Sequence, residues 1–244
     1  MSESTTQSAE RTTLVYDDDG LGRPPWAMSS PLLKEYYDTE WGLPIFEEAA
    51  LYERLSLESF QSGLSWAVVL KKREAFRAAF CNFDPDKVAE FDEADVERLL
   101  GDASIIRNET KIRAAINNAK ATIALREEGG LAEFIWAFQP PENLYPTVME
   151  DIPKKSYESK LMSRELKKKG FRFVGPVTCF ALMEAIGMVD THLLGSHRRG
   201  TSGVWHESGV PHYGLAQEYA AIKSQHPPLA AEVRMAAGLT CGNA

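Results

Sequence analysis

The chain has 244 residues, 44% of them hydrophobic, and a formal net charge of -8. That length and apolar content suit one domain, or one with two closely packed lobes, and exclude a wholly disordered protein. The negative balance argues against a protein that coats nucleic acid through overall basicity, though it leaves room for a local basic face. Residues 1–22 are rich in Ser, Thr, Asp and Glu and predict an acidic, mobile tail. Order is expected from Arg23-Pro24-Pro25-Trp26. A short aromatic helix follows from Pro31 until Gly42 stops it, with Trp26, Tyr36 and Trp41 as pocket or core aromatics.

The next helix places Leu51, Leu55, Glu58 and Ser62 on one side at a period near 3.6, so a carboxylate points where leucines point. Gly63 permits a turn, Ser65 is placed to cap a further helix, and Trp66 falls in that helix's first turn. A carboxylate facing a large aromatic plane suits a flat cation, through charge-assisted hydrogen bonds and stacking. The same spacing is met by a buried Glu58 paired with Arg54 or Arg73.

Asp84-Pro85 and Asp92 are helix starts, and Asn108 to Glu128 carries Ile112, Ile116, Ala119 and Ile123 on one stripe up to Gly129-Gly130. A short helix from Leu131 to Phe138 precedes a Pro-rich loop, 139–156, read as a boundary between lobes. Period-two patterns are lacking, so the fold class is all-α. From Leu161 the chain reads helix, short hairpin, helix: Lys167-Lys168-Lys169-Gly170, then Phe171-Arg172-Phe173-Val174-Gly175, then a helix from Pro176 through Phe180, Met183 and Ile186. Free amides at Gly170 and Gly175 can meet a phosphate, and Lys168 and Lys169 add attraction to a nucleic-acid backbone; a solvated αα-hairpin is the plain alternative. Cys81, Cys179 and Cys241 form no C-x-x-C, and there is no long apolar segment, so a cytoplasmic protein without a membrane span is expected.

Tyr36-Tyr37-Asp38-Thr39-Glu40-Trp41-Gly42, Gly63-Leu64-Ser65-Trp66 with Lys71-Lys72-Arg73-Glu74, Phe83-Asp84-Pro85, Ile106-Arg107 with Lys111-Ile112, and Leu166 to Gly175 run in the same order as in the DNA-3-methyladenine glycosylase I family. The chain resembles that branch of the helix-hairpin-helix glycosylases from about Trp26 to His192. The resemblance implies a helix-hairpin-helix domain over 23–203, with a base pocket between two helical lobes. It implies an enzyme that flips 3-methyladenine out of duplex DNA and hydrolyses its glycosidic bond, without lyase activity. N3-methylation makes the base cationic and a better leaving group, so recognition and positioning do most of the work. By resemblance Glu58 accepts hydrogen bonds from the base, Trp66 stacks on it, Tyr36 bonds it, and Trp26 and Trp41 close the walls. Leu64, exposed beside Gly63, is a candidate wedge into the duplex and Gln61 a candidate contact to the opposite strand.

The sequence departs from the family pattern in three places. The family's zinc is held by two cysteines and two histidines, and Pro24, Tyr37, His192 and Ser196 stand at those positions, so no cofactor is expected; His197, His206 and His212 read as surface histidines. Val189-Asp190-Thr191-His192 resembles the segment bearing the catalytic aspartate of the endonuclease III branch, making Asp190 either an added catalytic group with a wider lesion range or a loop cap. Pro176-Val177-Thr178 leaves no lysine for a Schiff base. Residues 204–244 extend past the pattern, with Leu215, Tyr219 and Ile222 suggesting a helix and another after Pro228. The expected partner is alkylated duplex DNA, bound by a monomer, and a non-catalytic damage-binding module is the rival.

Overall fold

Among the described residues, 13–206 and 208 in the computed structural model, nearly all regular structure is helical. The exception is an antiparallel pair, β1 (Val15–Tyr16) and β2 (Gly22–Arg23), inside the stretch expected to be mobile. Charge explains the order. Arg23 is buried and forked between Asp19 and Asp38, and Lys34 binds Asp17, so two acids of the expected tail are ion-pair partners. The terminal extension, with the helices expected around Leu215 and Tyr219 and after Pro228, lies outside the described residues beyond Trp205 and its immediate neighbours.

Local signals set most helix starts. Ser30 caps α1 (Pro31–Thr39) through its hydroxyl, with proline at the first position, and Gly42 at φ +83° follows the helix end. Both carboxylate oxygens of Glu47 cap α2 (Glu48–Gln61), which buries Leu51, Leu55 and Glu58 as predicted. It buries Tyr52, Leu57, Ser59 and Phe60 as well, because α2 has neighbours on most sides, and Ser62 falls outside that buried face, exposed at the helix end. Ser65 precedes α3 (Trp66–Lys71), but its side chain makes no capping bond. After α4 (Arg73–Ala79), Asp84 caps α5 (Pro85–Ala89) and an Asp92–Asp95 capping box opens α6 (Glu93–Gly101). Asn108 opens α7 (Glu109–Leu125), whose buried stripe holds Ile112, Ile116 and Ala119 and closes on Leu125, Ile123 being only half-buried.

The remaining helices are α8 (Gly130–Trp136), α9 (Tyr157–Lys168) and α10 (Pro176–Ala185). Helix α2 packs on α7, α8 and α10, α5 packs on α7, and α9 packs on α10. The core continues past residue 203. Val204 and Trp205 are buried, and the Trp205 indole donates to the Met188 carbonyl. The 139–156 loop is tied down too: Asn143 accepts from the Asp190 amide, and the Leu144 and Pro146 carbonyls accept from Arg199 and the Leu194 amide. Its prolines cannot extend a helix, yet its backbone is a joint rather than a free linker.

Candidate active site and nucleic-acid interface

Helix α1 presents Tyr36, α2 presents Glu58, and the start of α3 presents Trp66; with Leu33 and Leu70 these aromatics form a small cluster that Trp26 and Trp41 pack against. The rings of Tyr36 and Trp66 lie 5.4 Å apart, tilted by 42°. Glu58 is only 5% exposed. Among the described residues no hydrogen-bond donor reaches its carboxylate, and its nearest cation is Arg54, one helical turn earlier, at 4.0 Å. Burial pushes the Glu58 carboxyl up to about 7, with Arg54 drawing it part of the way back. The Trp66 indole nitrogen is also buried without a partner. A carboxylate that no donor reaches and an indole N–H with no acceptor, on neighbouring elements, are costly to keep in a folded protein.

Arg54 is the partner the sequence offered for Glu58, but its stronger bonds go elsewhere. Its guanidinium donates to the Tyr36 hydroxyl at 2.5 Å and to Glu40, which also accepts from Arg73 at 2.6 Å. Its ζ carbon lies 5.3 Å from the centroids of both the Tyr36 and Trp66 rings.

A cavity adjoins this cluster, lined by Trp26, Trp41, Met149, Glu184, Thr191 and His192. Trp26 and Trp41, which meet edge to face at 5.4 Å, line it, whereas Tyr36, Glu58 and Trp66 do not. Glu184 and Thr191 were not singled out from the sequence. The Thr191 hydroxyl donates to Glu184 at 2.8 Å. Burial pushes Glu184 up to about 8, Thr191 opposing and Glu58 adding to the rise. The signal was present: Glu184 lies four residues after Phe180 on α10, the same carboxylate-among-apolars pattern that drew attention to Glu58.

The four positions matching the family's zinc ligands do come together, with different chemistry. The Tyr37 hydroxyl and Ser196 hydroxyl are bonded to each other at 2.6 Å, while Nδ1 of His192 pairs with Asp190 at 2.6 Å. His192 stands edge-on to Tyr37 and Trp41, and Pro24 offers no side-chain donor. One imidazole, two mutually satisfied hydroxyls and a proline do not fit zinc, and among the described residues no group of three His, Cys, Asp or Glu is placed to hold a metal. His197 is half-buried between Asp38 and the Gly22 carbonyl.

Asp190 does not face the cavity. It is buried, and its carboxylate accepts from the His192 amide at 3.0 Å, the His192 ring and the Gly200 amide at 2.8 Å, with Arg199 at 3.6 Å. Burial alone would raise its pKa, but these donors hold it below the ordinary carboxylate range. Both carboxylate oxygens are engaged by the loop they cap, which is the geometry of the loop-cap reading offered beside the catalytic one.

The hairpin between α9 and α10 is pinned from beneath. Asn118 on α7 both accepts from the Arg172 amide and donates to its carbonyl, while Ser59, Asn117 and Ser163 donate to the carbonyls of Phe173, Gly170 and Val174. A Cβ at Gly170 or Gly175 would meet nothing inside the protein, so the open face of each is turned outward. Lys168 is exposed beside Glu165, and Lys169 pairs with Glu128. Leu64 is 42% exposed in the loop that Gly63 turns at φ +81°, and Gln61 lies half-buried at its base. Loop and hairpin both belong to elements packed on α2, whose inner side bears Glu58.

An all-α framework with a pinned hairpin between two helices, beside an aromatic cluster and a buried carboxylate, is a helix-hairpin-helix architecture. The methyladenine glycosylase family model matches residues 26–199, and the chain belongs to that family. It is 44% identical to DNA-3-methyladenine glycosylase 1 of Escherichia coli (strain K12) over 178 residues, 72% of this chain and 95% of the relative. A crystal structure of 3-methyladenine DNA glycosylase I superposes with a TM-score of 0.67 at 42% identity, covering 69% of this chain and 94% of that one. The Staphylococcus aureus enzyme, solved to show the structural basis of 3-methyladenine recognition, gives 0.66 at 34% identity, covering 69% and 91%.

Proposed function

We propose that this chain removes 3-methyladenine from alkylated duplex DNA by hydrolysis of the N-glycosidic bond, as the names of its relatives describe for them. The observation that carries the reading is the Glu58 carboxylate, buried without a donor beside Tyr36 and Trp66, which is complementary to a flat cation bearing N–H groups. Trp66 stacks on the flipped base, Tyr36 bonds it, Trp26 and Trp41 wall it, and Glu58 accepts its N–H groups. Because the lesion is already charged, binding it against an ionised carboxylate positions a bond that its own chemistry has weakened. Leu64 fills the gap in the duplex with Gln61 behind it, and the Gly170 to Gly175 backbone with Lys168 and Lys169 holds the phosphates. Asp190 secures the loop, no zinc is held, and the protein acts in the cytoplasm as a monomer.

The test is release of free 3-methyladenine from methylated duplex DNA by wild type beside Glu58→Gln and Asp190→Asn. Release by wild type, lost on Glu58→Gln and retained on Asp190→Asn, is the expected pattern. Wild type that binds the lesion but releases nothing would make the chain a damage-binding module instead.

A further inference from the structure

The groups assigned to the base are already engaged by one of the protein's own side chains. Arg54 is 3% exposed, its guanidinium lies against the Tyr36 and Trp66 rings at 5.3 Å from each, it donates to the Tyr36 hydroxyl at 2.5 Å, and it stands 4.0 Å from Glu58. A guanidinium is planar, carries one positive charge and presents N–H donors along its edge. An N3-alkylated adenine shares all three properties.

We infer that Arg54 is a specificity-determining residue: an internal competitor that a flipped base must displace from Tyr36, Trp66 and Glu58, so that cationic N-alkylpurines enter and neutral purines are refused. The inference rests on the base-pocket reading of those three residues. Two like charges cannot share one carboxylate and one pair of rings without repulsion, so the arriving cation and Arg54 exclude each other. Glu40 gives the displaced guanidinium a destination. It already binds Arg54, is partly exposed, and is shared with Arg73, so the arginine can swing outward without losing its ion pair. Every base incurs the same displacement cost. Only a cationic base restores the cation–π contacts and the charge opposite Glu58, whereas adenine brings stacking and hydrogen bonds alone. A cost common to all ligands, offset by one class, is a discriminator.

The experiment is calorimetric binding of free adenine to the full chain as wild type, Arg54→Met, Arg54→Gln and Arg54→Lys, alongside excision of 3-methyladenine and of hypoxanthine from duplex DNA. Arg54→Met removes the charge at similar volume, a change that buried ion pairs often tolerate, and Arg54→Gln keeps a planar polar group should methionine compromise folding. Either neutral variant is expected to bind adenine about tenfold more tightly than wild type and to lose selectivity for 3-methyladenine over hypoxanthine by a similar factor, while Arg54→Lys keeps adenine weak. Folded neutral variants that gain no adenine affinity would overturn the inference, as would an equal gain by Arg54→Lys. If Arg54 merely keeps Glu58 ionised, 3-methyladenine excision falls with no gain for adenine. Failure of wild type to release 3-methyladenine would count against the base-excision reading alone, since adenine affinity is measured without turnover.

Discussion

At the scale of single residues, Glu58 occupies a place where a carboxylate costs stability. Folded, it keeps its proton to about 7, whereas an unfolded glutamate releases it near 4.5. The stability held by the protonated form below 4.5 is therefore lost as pH rises to 7 and changes no further above it. Glu58→Gln should be more stable than wild type near pH 8, by on the order of 2–3 kcal/mol, with the difference vanishing near pH 4.5. Chemical denaturation at a series of pH values measures this. Recognition of a fixed cation needs the ionised form, so wild-type excision should climb as pH passes 7 while Glu58→Gln stays low and flat. Asp190→Asn should instead lower the thermal midpoint through its lost charged hydrogen bonds, roughly 1.5–3 kcal/mol each, while single-turnover excision by folded protein stays within about tenfold of wild type. A loss near a thousandfold would return Asp190 to the chemistry. Helical spacing alone made Glu58 legible in the sequence, since it sets a carboxylate among leucines. The destination of Arg54 was not legible, because the choice among Glu58, Tyr36 and Glu40 depends on how α1 packs on the neighbouring helices.

At the scale of elements, caps at Asp84 and Asp92 were legible because each acts on amides two or three residues away, whereas Ser65, expected to cap α3, makes no such bond and the Ser30 cap was not foreseen. The β1–β2 pair and the burial of Trp205 were not, since both depend on partners distant in sequence, Asp38 for Arg23 and Met188 for Trp205. The hairpin shows both kinds of information. Its glycines and lysines announce it, but the residue that shapes it, Asn118, is 54 positions from Arg172. Asn118→Ala leaves the Arg172 amide and carbonyl unpaired. It should lower stability by about 1–3 kcal/mol and weaken binding to damaged and undamaged DNA alike. Lys168→Ala should weaken both without destabilising the fold, and should reduce the dependence of affinity on salt by about one phosphate contact. A filter-binding salt titration separates the two, as only the second changes slope at unchanged thermal midpoint.

For the molecule as a whole, the two ends of the domain meet where Tyr37 bonds Ser196 and where Asp190, His192 and Arg199 bind one another and the 139–156 loop. Purified protein is expected to contain no stoichiometric zinc by elemental analysis, and a strong chelator should leave its thermal midpoint unmoved; one zinc per chain would refute this. The sequence showed which residues stand at these positions but not that two of them bond, because a phenol and a serine hydroxyl 159 positions apart carry no mark of being partners. A joint made from a dissociable ion obeys mass action, and its strength falls as the free ion becomes scarce. The bond between Tyr37 and Ser196 has no such reservoir outside the chain, so its contribution to folding is the same at any metal concentration and in the presence of oxidants that attack zinc-bound sulfur.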